Sequence, residues 1–203
     1  MPKLYYTPSS CGAATFLAAS IAGVSMDCEQ VTLNDHKTAS GADFYAINPK
    51  GNVPTIVLDD GTVLNEGAAT LAWVADQAPG KIAPEYGTSA RYLVIAGLNY
   101  VASEVHANFG PLFYPNSDEI KAKAKENLAK KFEHLVKVFE SKPFLAGDSL
   151  SIADLYLYIV LSWVGYVGVE LPAPLTAWYE KVKALPEVAA GHERMGTSPA
   201  TTA

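Results

Sequence analysis

The chain has 203 residues, of which 49% are hydrophobic and 18% charged, and its net charge is −6. This balance supports a packed core and excludes a disordered chain. Lysines between residues 121 and 131 are interspersed with Ala and Glu, as on a solvated helix face, so we expect no nucleic-acid partner. Without a basic leader before an apolar run, or an apolar stretch of about 20 residues, we expect a cytoplasmic protein with no membrane partner. Two cysteines are too few for a disulfide framework.

Residues 1–79 predict a small mixed sheet with helices on its faces, because strand and helix patterns alternate there. The predicted strands are Lys3–Tyr6, Cys28–Leu33, Thr55–Leu58 and Thr62–Leu64, the last two joined by the Asp60-Gly61 turn. The predicted helices run from a cap at Ser9 or Ser10 to Ile21, over a short segment at Asp43–Asn48, and from Asn65 or Glu66 to Ala78. Between them, Asn34–Gly41 is polar and predicts turns.

Residues 80–87 contain Gly and Pro and predict a linker, and residues 88–203 predict an all-helical domain. Its predicted helices are Ala90–Gly110, Asp118–Ser141, Leu155–Val167 and Leu175–Leu185, the last stopped by Pro186. Ser151 and Asp154 match a capping box in front of the third of these helices. The small, polar tail Met195–Ala203 predicts a frayed end.

The segment Asn48–Thr55 carries three turn devices ahead of an apolar run. Pro49 and Gly51 favour a turn, and Pro54 removes a backbone donor where a buried strand begins. Val53-Pro54 is therefore a candidate cis peptide bond. An extended backbone beside a cis-proline offers free N–H and C=O groups to an extended peptide ligand.

The run N-P-K-G-N-V-P at residues 48–54, followed by Glu66-Gly67, resembles the glutathione-binding half of the glutathione S-transferases, most closely their bacterial beta class. The capping box is a second hallmark of that family. The resemblance covers residues 3–193 and implies a thioredoxin-like α/β domain at residues 1–79, followed by an all-α helical bundle. It also implies glutathione as co-substrate, no metal, and a homodimer.

Cys11 lies where the first predicted helix begins. Unpaired amides and the positive end of the helix dipole lower the pKa of a thiol there, which points to a reactive cysteine; a buried core cysteine is the alternative. The resemblance implies that Cys11 contacts the glutathione sulfur and can form a mixed disulfide with it. Cys28 lies in a strand and is predicted to be structural.

Tyr6, Ser9 and Ser10 are competing partners for the glutathione thiol, since other classes of the family use a Tyr or Ser hydroxyl for this purpose. Tyr5 and Tyr6 face opposite ways along a strand, so at least one of them is a packing residue. Ser10 is the better hydroxyl candidate, although both serines can equally serve only as caps.

Two short segments form the predicted binding site for glutathione. The resemblance implies that Val53 and Pro54, with Asn52 beside them, pair with its cysteinyl part through the backbone. Glu66 and Gly67 open a helix whose amides suit the γ-glutamyl carboxylate, while the Glu66 side chain takes the ammonium group. A first-turn Glu is also ordinary helix electrostatics.

Asn99, Ser103 and His106 lie at i, i+4 and i+7 and share one face of a predicted helix. A lone histidine there is commonly a satisfied core residue. The resemblance implies that this face looks across at the glutathione pocket, that His106 takes part in catalysis, and that the Asn can come from the partner subunit.

The glycyl carboxylate of glutathione has two candidate ligands, His36 and Lys37. The family often has lysines at the positions of His36 and Ala107, and both changes remove positive charge near an anionic ligand.

We therefore expect a glutathione S-transferase that conjugates the glutathione thiolate to small hydrophobic electrophiles. Candidates for the electrophile wall are Phe109, Leu112, Phe113, Tyr114, Trp163 and Tyr166. One alternative is a monothiol thiol–disulfide oxidoreductase acting through Cys11, because no second cysteine lies at C-x-x-C spacing. The other is a non-enzymatic module that binds apolar ligands.

Overall fold

The structure, a computed structural model, describes residues 1–197. Within these residues a mixed sheet has the strand order β3-β2-β1-β4-β5. Strand β1 runs parallel to β2 and antiparallel to β4, while β2–β3 and β4–β5 are antiparallel pairs. The strands are β1 (Lys3–Tyr6), β2 (Asp27–Thr32), β3 (Lys37–Thr38), β4 (Thr55–Val57) and β5 (Val63–Asn65). The thioredoxin-like sheet is confirmed; β3 was missed because two residues in a polar stretch carry no period-2 pattern.

Helices make up most of the remaining described chain. They are α1 (Gly12–Ala22), α2 (Gly67–Gln77), α3 (Ser89–Tyr100), α4 (Ala107–Phe113), α5 (Asp118–Ser141), α6 (Ile152–Leu161), α7 (Val164–Val167), α8 (Ala173–Lys183) and α9 (Pro186–Met195). A 3₁₀ turn covers Phe44–Ala46, and a π-helical segment, Val101–His106, joins α3 to α4. None of the helices in residues 1–197 combines the length and hydrophobicity that a bilayer crossing needs.

The two faces of the sheet pack against different partners. Leu4 and Tyr6 of β1 belong to the main hydrophobic core with α1 and α2, whereas Tyr5 packs with Phe44 and Val53 on the other face. The predicted opposite orientation of Tyr5 and Tyr6 is therefore confirmed. Val53 just before β4, Cys11 just before α1 and Gly67 at the start of α2 lie at the same end of the sheet, where Thr55 pairs with Tyr5 and Asn65.

Helix α6 is the central element of the helical bundle, and every one of its residues is buried. The predicted capping box forms at its start. One carboxylate oxygen of Asp154 accepts hydrogen bonds from the N–H and hydroxyl of Ser151, at 2.9 and 2.7 Å, and the other accepts from the N–H of Leu145 at 2.7 Å. These bonds fix the direction in which α6 enters the core, and so the position of its next aromatic residue, Tyr156.

Arg91 ties the helical bundle to α2. Its side chain is 3% exposed and donates to Asp76 of α2 at 2.7 Å and to the carbonyl oxygens of Ala72 and Pro84, both at 3.3 Å. The two parts of the chain are thus fixed to each other beside the predicted linker.

Three helix boundaries differ from the predictions. The helix expected to end at Gly110 continues to Phe113 with Pro111 inside it, which is tolerated in its short last stretch. The helix expected over Leu155–Val167 begins at Ile152 and is split into α6 and α7.

The helix expected over Leu175–Leu185 is α8, Ala173–Lys183, and it ends before Pro186 as predicted. Pro186 also begins a further helix, α9, at its first position, where a missing N–H costs nothing. The predicted frayed tail is therefore wrong at Met195, the last residue of α9, and its part at residues 198–203 lies outside the described chain.

Candidate active site

The turn at Asn48–Thr55 is held by one buried amide. The Nδ2 of Asn48 donates to the carbonyl and side-chain oxygens of Asn52, at 2.9 and 2.8 Å, and to the hydroxyl of Thr55 at 2.9 Å. The Val53-Pro54 peptide bond is cis, as predicted. Asn52 therefore holds the turn with its own side chain, and the backbone of Val53 lies at the end of β4 facing the start of α1.

Cys11 directly precedes α1 and lies against that backbone. Its Sγ donates to the carbonyl oxygen of Val53 at 3.2 Å. Burial raises the pKa of the Cys11 thiol to about 12, and hydrogen bonds from nearby backbone amides only partly offset this. The lowered pKa expected at a helix N-terminus is therefore wrong: Cys11 is a neutral thiol at pH 7, and its sulfur is a hydrogen-bond donor.

Two of the three hydroxyl candidates, Ser10 and Tyr6, are engaged elsewhere, and Ser9 is exposed. The Ser10 hydroxyl donates to the carbonyl of Thr7 at 2.8 Å and accepts from the N–H of Gly12 at 3.1 Å, which is a capping role. The Tyr6 ring stacks on Phe16, and its buried hydroxyl interacts with Gln30; burial raises the pKa of this phenol. Both side chains therefore build the loop and core around Cys11.

Glu66 is the N-cap residue of α2, and Gly67 is the first residue of that helix. Glu66 has φ of 74°, a conformation that a non-glycine residue seldom adopts and that is concentrated at functional sites. Its carboxylate pairs with Lys50 at 2.5 Å, and both side chains are exposed. Gly67 starts the helix, so its amide and those of the first turn lack intrahelical partners. The unpaired amides at the start of α2 can bind an anion, and the Glu66 carboxylate lies beside them.

His106 faces the same region from the helical bundle. Its Nδ1 lies 2.7 Å from the hydroxyl oxygen of Tyr156, and its ring contacts Trp163 edge-on at 4.8 Å between centroids. Burial lowers the pKa of His106, although the charge of Glu66 opposes this, so the imidazole is neutral at pH 7. Burial raises the pKa of Tyr156, and the nearby Cys11 and Glu66 side chains raise it further. Histidine, tyrosine, cysteine and glutamate thus form one electrostatic cluster.

Asn99 and Ser103 are placed differently from His106. Both are exposed, and their side chains bond along the helix, Asn99 to the carbonyl of Ile95 at 3.0 Å and Ser103 to that of Asn99 at 2.8 Å. The segment Val101–His106 is π-helical, and its wider turns rotate His106 away from the face that α-helical spacing predicts. Of Asn99, Ser103 and His106 in one chain, only His106 belongs to the cluster around Cys11.

His36 lies beside the Asn48–Gly51 turn. Its ring packs on Tyr45 at 4.4 Å between centroids, and its Nδ1 is buried with no partner among residues 1–197. A side chain at Gly51 would collide with this pair, which explains the glycine there. Lys37 belongs to β3 and is exposed. His36 is therefore the closer of the two to the predicted seat of glutathione.

The candidates for the electrophile wall divide by burial. Phe109 and Trp163 are buried, and Phe113 is 47% exposed. Trp163 packs edge-on against both phenylalanines, which stack on each other. Leu112 is half-buried, whereas Tyr114 and Tyr166 are 70% and 74% exposed. The Trp163 indole donates to the carbonyl of Ser9 at 3.0 Å, so the aromatic cluster abuts the loop that carries Cys11.

Two residues of this site were missed at the sequence level. Tyr156 is one of many apolar-looking positions in a fully buried helix, and its i+5 spacing from Ser151 gives no signal. Lys50 is visible only as part of the N-P-K-G turn, and its pairing with Glu66 needs the hairpin β4–β5 to bring them together.

Comparison with known proteins agrees with this arrangement. Family models for the glutathione S-transferase N-terminal domain and C-terminal domain match residues 8–77 and 103–192. Glutathione S-transferase GstA of Escherichia coli O157:H7 is 35% identical over 191 residues, 92% of this chain and 94% of that protein.

Two solved structures extend the comparison. A sphingomonad glutathione S-transferase complexed with glutathione is 37% identical, covers 96% of this chain and 98% of its own, and has a TM-score of 0.90. A bacterial beta class enzyme from Sphingomonas chungbukensis is 36% identical over 96% of this chain and 98% of its own, with a TM-score of 0.89. The chain belongs to the glutathione S-transferase family and is of the bacterial beta-like type. The resemblance read from residues 48–54 and 66–67 is thereby confirmed.

Proposed function

We propose that this glutathione S-transferase binds glutathione extended along the Val53-Pro54 edge and conjugates its thiolate to small hydrophobic electrophiles. The observation that supports this most strongly is the 3.2 Å contact between Cys11 and the carbonyl of Val53. It puts a thiol, a cis-proline edge and the start of α1 in one place. The sphingomonad relative, whose structure holds glutathione, supports the same choice of co-substrate.

Each part of glutathione has a candidate seat. The γ-glutamyl carboxylate would lie on the amides that open α2 at Gly67, and its ammonium beside Glu66. The cysteinyl part would pair with the Val53 backbone, next to Asn52 and Pro54. The glycyl carboxylate would approach the edge at which His36, Lys37 and Lys50 supply the cationic or polar groups.

The reaction is a substitution or addition at carbon. The glutathione thiol loses its proton to solvent, and the sulfur forms a bond to the electrophilic carbon. In a substitution a leaving group departs with its electron pair; in an addition the π electrons move to the far end of the conjugated system, which then takes up a proton from solvent. Donors around the sulfur favour the thiolate and so raise its concentration at neutral pH. His106 is the neutral group from which such donation can come, and the Cys11 thiol could donate only by leaving the carbonyl oxygen of Val53.

The electrophile would lie against the aromatic cluster formed by Phe109, Phe113 and Trp163, with Leu112 and Tyr114 at its open side. This cleft would separate the thioredoxin-like domain, residues 1–79, from the helical domain that follows the linker at residues 80–87. Tyr166 lies on α7 and is 74% exposed, so it would lie at the margin of the electrophile wall.

We also propose that the enzyme is a cytoplasmic homodimer that pairs through the exposed face of α3. Tyr92 and Leu93 are 59% and 54% exposed there, and Asn99 lies one to two turns further along. A second copy would cover the two apolar side chains and bring Asn99 and Ser103 of each subunit towards the glutathione site of the other. Leu93→Glu should give a monomer in sedimentation, and Tyr86→Glu, in the linker, should not.

The monothiol alternative is weakened by the neutral Cys11. A pKa of about 12 leaves almost no thiolate to attack a disulfide at pH 7. Replacing Cys11 by Ser should therefore abolish any residual thiol exchange and largely spare conjugation.

Isothermal titration of glutathione into the wild type and Cys11→Ala, with conjugation to a chlorodinitrobenzene as the activity, tests the proposal. Saturable binding by both proteins and activity in the wild type are expected. Binding by neither protein would reject the proposed function and leave a ligand-binding module. Binding by the wild type alone would favour the thiol–disulfide mechanism.

A further inference from the structure

The hydroxyl of Tyr156 is a buried polar group with a single partner. The residue is 3% exposed, and its only hydrogen bond to a residue in the range 1–197 is the 2.7 Å contact with Nδ1 of His106. The two rings meet edge-on, with centroids 5.8 Å apart. A Cβ on Gly67 would lie 3.3 Å from this hydroxyl, so the start of α2 leaves the phenol just enough space.

This single contact decides which atom donates. A buried O–H without an acceptor is costly, and Nδ1 is the acceptor in reach. If instead Nδ1 carried the proton and donated to the phenol, the phenol's own proton would have no acceptor among the described residues. Burial raises the pKa of Tyr156 and lowers that of His106, so both groups are neutral and the phenol keeps its proton. Tyr156 therefore donates, Nδ1 accepts, and the imidazole proton lies on Nε2.

We infer that Tyr156 is a positioning residue that holds His106 in the Nε2–H tautomer, so that His106 acts as a hydrogen-bond donor and not as a base. A histidine that removed the thiol proton through Nε2 would need Nδ1–H, which this contact opposes. The assignment of the tautomer goes beyond the proposed function, whereas its consequence for catalysis rests on the proposed function.

The consequence concerns the glutathione sulfur. With the thiol proton released to solvent, the Nε2–H of His106 can stabilise the thiolate without itself gaining or losing a proton. The packing of His106 against Trp163, which is bonded to the loop before Cys11, keeps the ring in the same orientation. The hydroxyl of Tyr156 thus determines that His106 would present a hydrogen-bond donor, Nε2–H, to the substrate.

The same helix supplies a matched control. Two residues further along α6, the hydroxyl of Tyr158 lies 3.0 Å from Nε2 of His192, and the two rings are again edge-on. Tyr158→Phe removes a buried α6 hydroxyl from a contact with a histidine, as Tyr156→Phe does, but the partners it loses are His192 and Tyr179 and not His106. Any effect of Tyr156→Phe that Tyr158→Phe lacks is therefore specific to His106.

The experiment is ¹⁵N NMR of the imidazole nitrogens in the wild type and both variants without glutathione, followed by steady-state conjugation kinetics. We expect a pyridine-type Nδ1 and a protonated Nε2 for His106 in the wild type, and a mixture of both tautomers in Tyr156→Phe alone. We also expect kcat to fall about tenfold in Tyr156→Phe with little change in glutathione affinity, because the hydrogen bond that fixes the donor atom of His106 is lost.

Several results would overturn the inference. A wild-type His106 protonated on Nδ1 would do so without any variant, which covers the case in which Tyr156→Phe does not fold. An unchanged tautomer in Tyr156→Phe, or a changed tautomer with kcat within twofold of the wild type, would do so as well. Failure of the wild type to bind glutathione would reject the proposed function, while the tautomer assignment would stand or fall by its own spectrum.

Discussion

The indole N–H of Trp163 donates to the carbonyl oxygen of Ser9 at 3.0 Å, across 154 positions of sequence. One bond thus joins the aromatic cluster of the helical bundle to the loop that leads into α1. The proposed electrophile wall and Cys11, which we propose lies beside the glutathione sulfur, are fixed to each other through this bond.

Trp163→Phe should uncouple these two parts while keeping an aromatic ring in the cluster. The Ser9 carbonyl would lose its donor, and the loop before Cys11 would be less well fixed, so we expect kcat/KM for conjugation to fall about tenfold, because misplacement of reacting groups by a fraction of an ångström is costly. Steady-state kinetics measure this. The matched control is Trp178→Phe, which removes an indole bonded to the carbonyl of Pro143 far from the site; equal losses in both variants would contradict the prediction.

Cys11 should react slowly with alkylating agents in the folded protein. Burial raises its pKa from 9.0 to about 12, so the thiolate fraction at pH 8 is smaller than in the unfolded chain. In Cys28→Ser, where Cys11 is the only remaining thiol, we expect iodoacetamide labelling at pH 8 to be at least about ten times slower in buffer than in urea. Labelling that is faster in the folded protein would restore the lowered pKa predicted from the helix N-terminus.

Glu66→Gln should weaken glutathione binding and leave stability almost unchanged. The carboxylate is the proposed partner of the γ-glutamyl ammonium, and a charge-assisted bond of this kind contributes about 1.4 kcal/mol, or tenfold in Kd. Its ion pair with Lys50 is exposed on both sides, so losing it should cost less than about 1 kcal/mol. Calorimetry and thermal unfolding separate the two effects.

Glu119→Gln is the control for this experiment. It removes an acid from the first turn of another helix, α5, and should leave glutathione affinity unchanged. A Glu66→Gln variant with wild-type affinity would place the ammonium elsewhere.

Asp154→Ala should destabilise the helical bundle severely. Its carboxylate accepts three hydrogen bonds, and removal leaves the buried N–H of Ser151 and the half-buried N–H of Leu145 without partners. We expect the free energy of unfolding in urea to fall by about 3 kcal/mol. Asp148→Ala, at an exposed position six residues earlier, should change it by less than about 0.5 kcal/mol. A loss below 1 kcal/mol for Asp154→Ala would show that water or neighbouring groups replace the cap.

The sequence by itself determined the elements whose signals are local. Pro49, Gly51 and Pro54 fix a turn and a strand start through their own backbone restrictions, so the cis peptide and the hairpin after it could be predicted without tertiary contacts. The capping box at Ser151 and Asp154 is equally local, because the groups that bond are three residues apart.

Tertiary structure decided the chemistry of those same positions. Whether a helix N-terminus lowers the pKa of Cys11 depends on how deeply the sulfur is buried, and burial here outweighs the hydrogen bonds from the backbone amides of Cys11 and Gly12. The face on which His106 lies depends on a π-helical segment that side-chain spacing does not reveal. The pairing of His106 with Tyr156 joins residues 50 positions apart. Local sequence determines what each segment can form, whereas pKa values, tautomers and partners are set by groups that only folding brings together.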